Sequence, residues 1–166
     1  MLMQFSVNKH YLNCAEEMFE VARKYVSLQE ELNSESRATW SLIRNLFRTV
    51  DYQSYISRAK DIKARIERLR GRAYSLPLPH FGPEQELSQA LHDYIDALAA
   101  ASEICYRQAA FLASKTGGTS TLDTSHSDFQ RVTGDEQHSM QRFQATGRRL
   151  SVLYRLLSAR IPPREC

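Results

Sequence analysis

Apolar residues recur along the chain at alternating spacings of three and four positions, in four long stretches with few glycines or prolines. This spacing lines one face of a helix and is typical of the seam between packed helices. We therefore predict an all-α fold, an antiparallel, up-down bundle of about four long helices. The predicted helices cover residues 7–32, 35–70, 83–115 and 128–161.

Polar and helix-breaking residues set the expected ends of these helices. Asn33 and Ser34 interrupt the first apolar stretch. Ser34 is a suitable N-cap for the second helix, which would make helices 1 and 2 a tight hairpin. The apolar phase of the second helix slips near residues 51–54, which predicts a bend or a break there. Gly71 is expected to follow its last turn, and Pro83 to begin the third helix.

The sequence allows two possible N-termini for the fourth helix. Ser127 and Asp128 could cap an early start, whereas the segment from Thr133 to Glu136 has the pattern of a capping box for a later one. The preceding stretch, residues 116–127, is rich in glycine, serine and threonine. It is therefore predicted to be the least ordered internal segment.

The composition is that of one soluble domain covering residues 1–166, with 42% hydrophobic and 25% charged residues. No stretch is long and apolar enough for a transmembrane helix, and the N-terminus lacks the pattern of a secretory signal. The 3 cysteines are far apart and form no paired motif, which fits a reducing compartment better than a disulfide framework. We expect a cytoplasmic protein.

Positive charge is concentrated in the second quarter of the chain. Residues 36–82 carry 10 basic and 3 acidic side chains, whereas the predicted helices on either side are acidic overall. Five arginines of the second predicted helix are separated by multiples of seven, so they form a ribbon beside the apolar seam. The members of this arginine ribbon are Arg37, Arg44, Arg58, Arg65 and Arg72.

The ribbon has two interpretations, which require different surroundings. In the structural one, Arg58, Arg65 and Arg72 lie within salt-bridge reach of carboxylates on the flanking helices or on a second copy of the chain. Candidate carboxylates are Glu17, Glu20, Asp93 and Asp96. In the other interpretation, the ribbon is exposed, has no acidic neighbour and binds an anion, either nucleic acid or an acidic partner. The complementary charge of the flanking helices favours the structural interpretation.

Two spacings in the fourth predicted helix suggest chemistry. Asp135 and His138 imitate the Glu-x-x-His spacing that holds metals in helical bundles, but the facing seams offer no second pair, so no metal or cofactor is predicted. Arg131 and His138 resemble the Arg-x4–6-His motif of the HEPN ribonuclease families, although Val132 stands where those families usually place a polar residue. The resemblance implies that Arg131 holds a phosphate and that His138 acts as acid or base in RNA cleavage.

These patterns favour a non-enzymatic protein that acts through protein–protein interaction and self-associates. The first and third predicted helices carry more apolar positions than one core needs, so we expect a homodimer with helix 1 or helix 3 at its interface. The alternative is a nucleic-acid-acting protein, with helix 2 facing phosphates and Arg131 and His138 as the active pair. No membrane partner is expected. The surplus apolar positions of helix 3 are Ile95, Ile104, Ala109 and Phe111.

Overall fold

Four helices account for nearly all of the chain that the computed structural model describes. This part comprises residues 2–39, 51–79, 82–116 and 125–159, with side chains described for 9–34, 51–79, 82–114 and 136–159. No strand occurs within it. The helices pack into a four-helix bundle, and the predicted all-α fold is confirmed. They are α1 (Leu2–Thr39), α2 (Tyr52–Ser75), α3 (Pro83–Thr116) and α4 (Ser125–Ser158).

Contacts between neighbouring helices show that the bundle is antiparallel. Arg58, near the start of α2, bonds to Glu31 in the second half of α1. Arg72, near the end of α2, bonds to Glu17 in the first half of α1. The contacts between α2 and α3 and between α3 and α4 run in the same reversed order. The predicted up-down arrangement is therefore confirmed.

Helix α3 packs extensively against α2 and α4 and also contacts α1, and α1 likewise contacts all three other helices. The predicted seam of α3 is buried along its whole length, as are those of α1 and the described part of α2. Two of the four surplus apolar positions of α3, Ile95 and Ala109, are also buried inside the single chain. The seam of α3 consists of Leu87, Leu91, Tyr94, Leu98, Ala101, Cys105, Gln108 and Leu112.

Exposed apolar side chains are found away from the helices on which we expected a dimer interface. Helix α3 has three neighbours, and two of its surplus apolar positions, Ile95 and Ala109, are buried among them. None of the large exposed apolar residues in the described structure belongs to α1 or α3. They are Tyr74, Leu78, Val152 and Leu156. No described helix has an apolar stretch long enough to span a membrane.

The predicted boundary between helices 1 and 2 is wrong. Helix α1 continues through Asn33 and Ser34 to Thr39, and α2 begins only at Tyr52, so the two helices are not joined by a tight hairpin. Asn33 does not break the helix, because its side-chain amide donates a hydrogen bond to the carboxylate of Glu136 in α4. Ser34 lies inside a helix and caps none. Residues 40–50 lie outside the described residues.

The break predicted near residues 51–54 is the true start of α2. Asp51 is the N-cap, and its carboxylate accepts hydrogen bonds from the backbone N–H groups of Gln53 and Ser54 at 3.1 and 3.3 Å. Helix α2 then passes Gly71 and ends about one turn later than predicted. It continues because Ala73 still packs in the core.

Helix α3 begins at Pro83 as predicted, and α4 takes the earlier of its two possible starts. The capping-box pattern that ends at Glu136 therefore lies inside α4. Instead of capping a helix, Glu136 accepts hydrogen bonds from Gln29 of α1 and Gln108 of α3. The end of the segment predicted as a loop, from Ser125 to Ser127, is helical, so this part of the loop prediction is wrong. Residues 117–124 lie outside the described residues.

Candidate anion-binding groove between α1 and α2

An open groove of about 730 Å³ lies between α1 and α2. Its apolar lining includes the buried Ile62, and its walls are mostly charged. A smaller concavity of about 390 Å³ continues it toward the C-terminal end of α2, over Val21 and Leu69. We call the two together the α1–α2 groove. Its charged residues are Glu17, Glu20, Arg23, Lys24, Arg58, Asp61, Arg65, Arg68 and Arg72.

Helix geometry explains why these cations share one surface. Arg58, Arg65 and Arg72 are seven residues apart on α2, so they stay on the side of the helix that lies beside α1. Arg68, about one turn after Arg65, widens this row. Lys24 lies on the wall that α1 contributes.

Ion pairs close both ends of the groove. At one end Arg58 donates two hydrogen bonds to Glu31 of α1, at 2.6 and 2.8 Å, and its guanidinium lies 5.8 Å from the centre of the Tyr55 ring. At the other end Arg72 donates to Glu17 at 2.7 Å. The hydrogen bonding between Arg58 and Glu31 raises the pKa of the arginine and lowers the pKa of the glutamate. These two arginines join α2 to α1.

The centre of the groove carries cations that no carboxylate neutralises. Within the described residues, Lys24 and Arg65 make no hydrogen bond and no ion pair. Arg68 donates only to a backbone oxygen of its own helix, at 3.4 Å. The three cations therefore keep their donors available to a ligand.

The acidic side chains at the centre do not cancel this charge. Glu20 is paired with Arg23 of its own helix. Asp61 lines the groove, and no cation in the described part of the chain lies within ion-pair distance of it. Three unpaired cations thus stand against one unpaired carboxylate, which leaves the centre of the groove positive at neutral pH.

The arginines of the ribbon differ in whether they have a carboxylate partner. The structural interpretation describes Arg58 and Arg72, whereas Arg65 has no ion-pair partner among the described residues of the single chain. Arg37 belongs to α1 rather than to the second helix, and its side chain is outside the described residues. Arg44 is outside them altogether.

Two of the three unpaired cations of the groove, Lys24 and Arg68, were not found by the heptad spacing. Lys24 lies on the facing helix, so no pattern within α2 can find it. Arg68 is off the seven-residue row, but its one-turn distance from Arg65 is a signal that the sequence does contain.

The second predicted site lies on α4. Arg131 and His138 are seven residues apart in this helix, about two turns, and so lie on the same side. His138 is exposed, and the side chain of Arg131 lies outside the described residues, as does that of Asp135. The described residues contain no group of three side chains suited to hold a metal.

Comparison of the sequence with protein-family models, with curated proteins and with solved structures found no match.

Proposed function

We propose that this chain is a non-enzymatic binding protein whose α1–α2 groove holds an acidic segment of a partner protein. The observation that supports it is the group of unpaired cations, Lys24, Arg65 and Arg68, in one concave surface. Like charges held together repel one another, and the ion pairs at both ends keep α1 and α2 from separating to relieve that repulsion. Carboxylates of a ligand would relieve it by accepting charge-assisted hydrogen bonds.

A protein segment fits this groove better than a nucleic acid does. No aromatic ring is among the described residues that line it, so bases have no surface on which to stack. Glu17, Glu20 and Asp61 lie among the cations and would repel a continuous phosphate backbone. In a protein segment, neutral or basic residues can stand opposite these carboxylates while acidic residues meet the free cations.

The groove offers hydrogen-bond donors for an anion. Its arginines stay protonated at physiological pH and have no acceptor, so they act as donors only. The ribonuclease alternative depends instead on Arg131 and His138, which belong to α4.

Fluorescence anisotropy with labelled peptides tests the proposal. The probe is a short glutamate-rich peptide, and the reference is the same peptide with glutamine at every glutamate. We expect only the acidic peptide to bind, with an affinity that falls as the salt concentration rises. Changing Lys24, Arg65 and Arg68 together to glutamine should weaken binding at least about tenfold, which corresponds to about 1.4 kcal/mol.

The matched control removes the same number of positive charges from α4. Arg142, Arg148 and Arg155 are exposed there, and none lines the groove. Their change to glutamine should leave the affinity at the wild-type value. An equal loss in both variants would show that the peptide responds to net charge alone, which would overturn the proposal. Tighter binding of a single-stranded RNA, lost only in the groove variant, would assign the groove to nucleic acid.

Two broader expectations belong to the same proposal. The buried free thiols of Cys14 and Cys105 fit the reducing cytoplasm, where we place the protein. We also propose that the chain forms a homodimer, which sedimentation at micromolar concentration can measure. A single species of 19.1 kDa would contradict the dimer while leaving the groove proposal intact.

A further inference from the structure

A carboxylate without a cationic partner lies between α1, α3 and α4. One oxygen of Glu136 accepts hydrogen bonds from the side-chain amides of Gln29 and Asn33 at 3.0 and 3.5 Å, and the other accepts from Gln108 at 2.7 Å. Gln29 and Gln108 are only 7% and 3% exposed. In the described structure no lysine, arginine or histidine lies within ion-pair distance of Glu136.

The charge of this carboxylate acts on buried neighbours. Burial raises the pKa of the Cys105 thiol to about 12, and the negative charge of Glu136 contributes to the rise. Burial likewise raises the pKa of Tyr25, and Cys105 and Glu136 add to it. The three amides solvate the carboxylate by hydrogen bonding, but being neutral they do not cancel its charge.

A buried amide oxygen beside Glu136 lacks a donor. The amide nitrogen of Gln108 bonds to the carboxylate, and the Oε1 atom of the same amide is buried with no hydrogen-bond partner. The hydroxyl of Ser139, about one turn further along α4, is also buried without a partner. Beside Glu136, therefore, one buried amide oxygen lacks a donor, and the carboxylate itself lacks a cation among the described residues.

We propose that Glu136 and Gln108 form a site for a monovalent alkali-metal cation, Na⁺ or K⁺. Carboxylate and amide oxygens are the ligands that hard cations take, and one carboxylate balances one positive charge. Gln29 becomes a further ligand when its amide rotates to present oxygen instead of nitrogen. A water molecule would give Gln108 a donor, but it would leave the charge of the carboxylate uncompensated.

A divalent cation is a poorer fit to the same place. Ca²⁺ and Mg²⁺ sites usually combine several carboxylates, and the described residues hold no group of three acidic, histidine or cysteine side chains. Among the described side chains, Glu136 is the one charged ligand at this place, so a doubly charged ion would keep an uncompensated charge there.

Thermal unfolding in matched chloride salts tests the site. The full chain is melted in KCl, in NaCl and in tetramethylammonium chloride at the same ionic strength, so that screening of surface charges is equal. An ion that binds only the folded state raises the Tm as its concentration rises. We expect the Tm to be a few degrees higher in KCl or NaCl than in tetramethylammonium chloride.

The variant Glu136→Gln removes the charge with little change of shape, and the difference between the salts should vanish. The matched control is Glu30→Gln, which removes an exposed glutamate of α1 and should keep the full difference. Each variant is compared with itself between salts, so a change in its overall stability does not affect the result.

Three outcomes would overturn the proposal. They are equal Tm values of the wild type in all three salts, a selective rise that persists in Glu136→Gln, and, in a further melt in CaCl2 at the same ionic strength, a rise that K⁺ and Na⁺ do not produce.

Discussion

The two sides of α2 use their positive charges differently. On the side that faces α3, Lys63 pairs with Glu103 and Arg70 pairs with Asp96, and the Lys63 ammonium lies 4.8 Å from the centre of the Tyr106 ring. On the side that faces α1, ion pairs close the two ends of the groove and the cations between them are unpaired. The first side is a neutralised helix contact, and the second is an open surface with unpaired positive charge.

The difference does not come from a shortage of acidic residues on α1. Residues 1–35 contain 6 acidic side chains, compared with 5 in residues 83–115. Two acids of α1 are used elsewhere: Glu20 pairs with Arg23 in its own helix, and Glu16 accepts a hydrogen bond from Tyr154 of α4. The net charge of a neighbouring segment is therefore a poor guide to whether a given arginine is neutralised.

The largest effect is expected from a substitution that changes no charge. It compares a glycine packed against another helix with a glycine on an open helix surface. A Cβ atom at Gly147 of α4 would lie 2.9 Å from Cε2 of Tyr94, whose buried ring stacks on Phe143 at 5.4 Å. Gly147→Ala should therefore lower the free energy of unfolding by about 1 to 3 kcal/mol, because the ring has to move.

The matched substitution at the open surface should have the opposite sign. Nothing lies within 4 Å of a Cβ atom at Gly71 of α2. Gly71→Ala should raise the free energy of unfolding by about 0.5 to 1 kcal/mol, because alanine loses less backbone entropy in a helix. Urea unfolding of both variants measures the difference, and a loss of stability in Gly71→Ala would show that this edge of α2 has a neighbour.

A pair of double variants compares the two sides of α2 directly. The α3-side variant, Lys63→Gln with Arg70→Gln, breaks the two ion pairs to α3 and the longer pair between Arg70 and Glu67 within α2. It should lose at most about 1 kcal/mol of stability for each pair. The α1-side variant, Lys24→Gln with Arg65→Gln, breaks none and should be as stable as the wild type or slightly more so. Both lose two positive charges, so each serves as the control for the other.

The variant that keeps its stability should be the one that loses affinity for the acidic peptide. The α1-side variant should bind the acidic peptide more weakly, and the α3-side variant should bind it as the wild type does. A stability loss in the α1-side variant would mean that Lys24 or Arg65 has a structural partner after all, and the two sides of α2 would then be alike.

Acid titration should show the smallest effect. The hydrogen bond from Lys63 lowers the pKa of Glu103 below its usual value of 4.5. A carboxyl group whose pKa is lower in the folded state stabilises the fold at neutral pH, and this contribution is lost as the pH falls below about 4.5, through the folded-state pKa. Between neutral pH and about pH 3, the α3-side variant should lose less stability than the wild type. Urea unfolding at both pH values measures this loss.

The α1-side variant is the control for that titration. It removes no partner of a carboxylate among the described residues, so its loss of stability in acid should equal that of the wild type. A smaller loss in this variant would reveal an ion pair in the centre of the groove.

The core faces of the helices followed from the sequence alone. Periodic spacing is a local property of a helix, because residues three or four positions apart share a side whatever that side contacts. The seams of α1 and α3 were therefore predicted correctly, and the slip of the apolar phase marked an interruption near residues 51–54, although not the N-cap at Asp51. The heptad spacing likewise placed Arg58, Arg65 and Arg72 on one side of α2.

Only the tertiary structure decided which polar side chains have partners. Arg58 and Arg65 occupy equivalent positions of one heptad row, yet the first meets Glu31 and the second meets no carboxylate in the described structure. Asn33 and Glu136 have the local pattern of helix ends, yet they meet each other inside the bundle. A side chain's partner depends on the offset and rotation of a helix far away in the sequence, and no spacing within one helix contains that information.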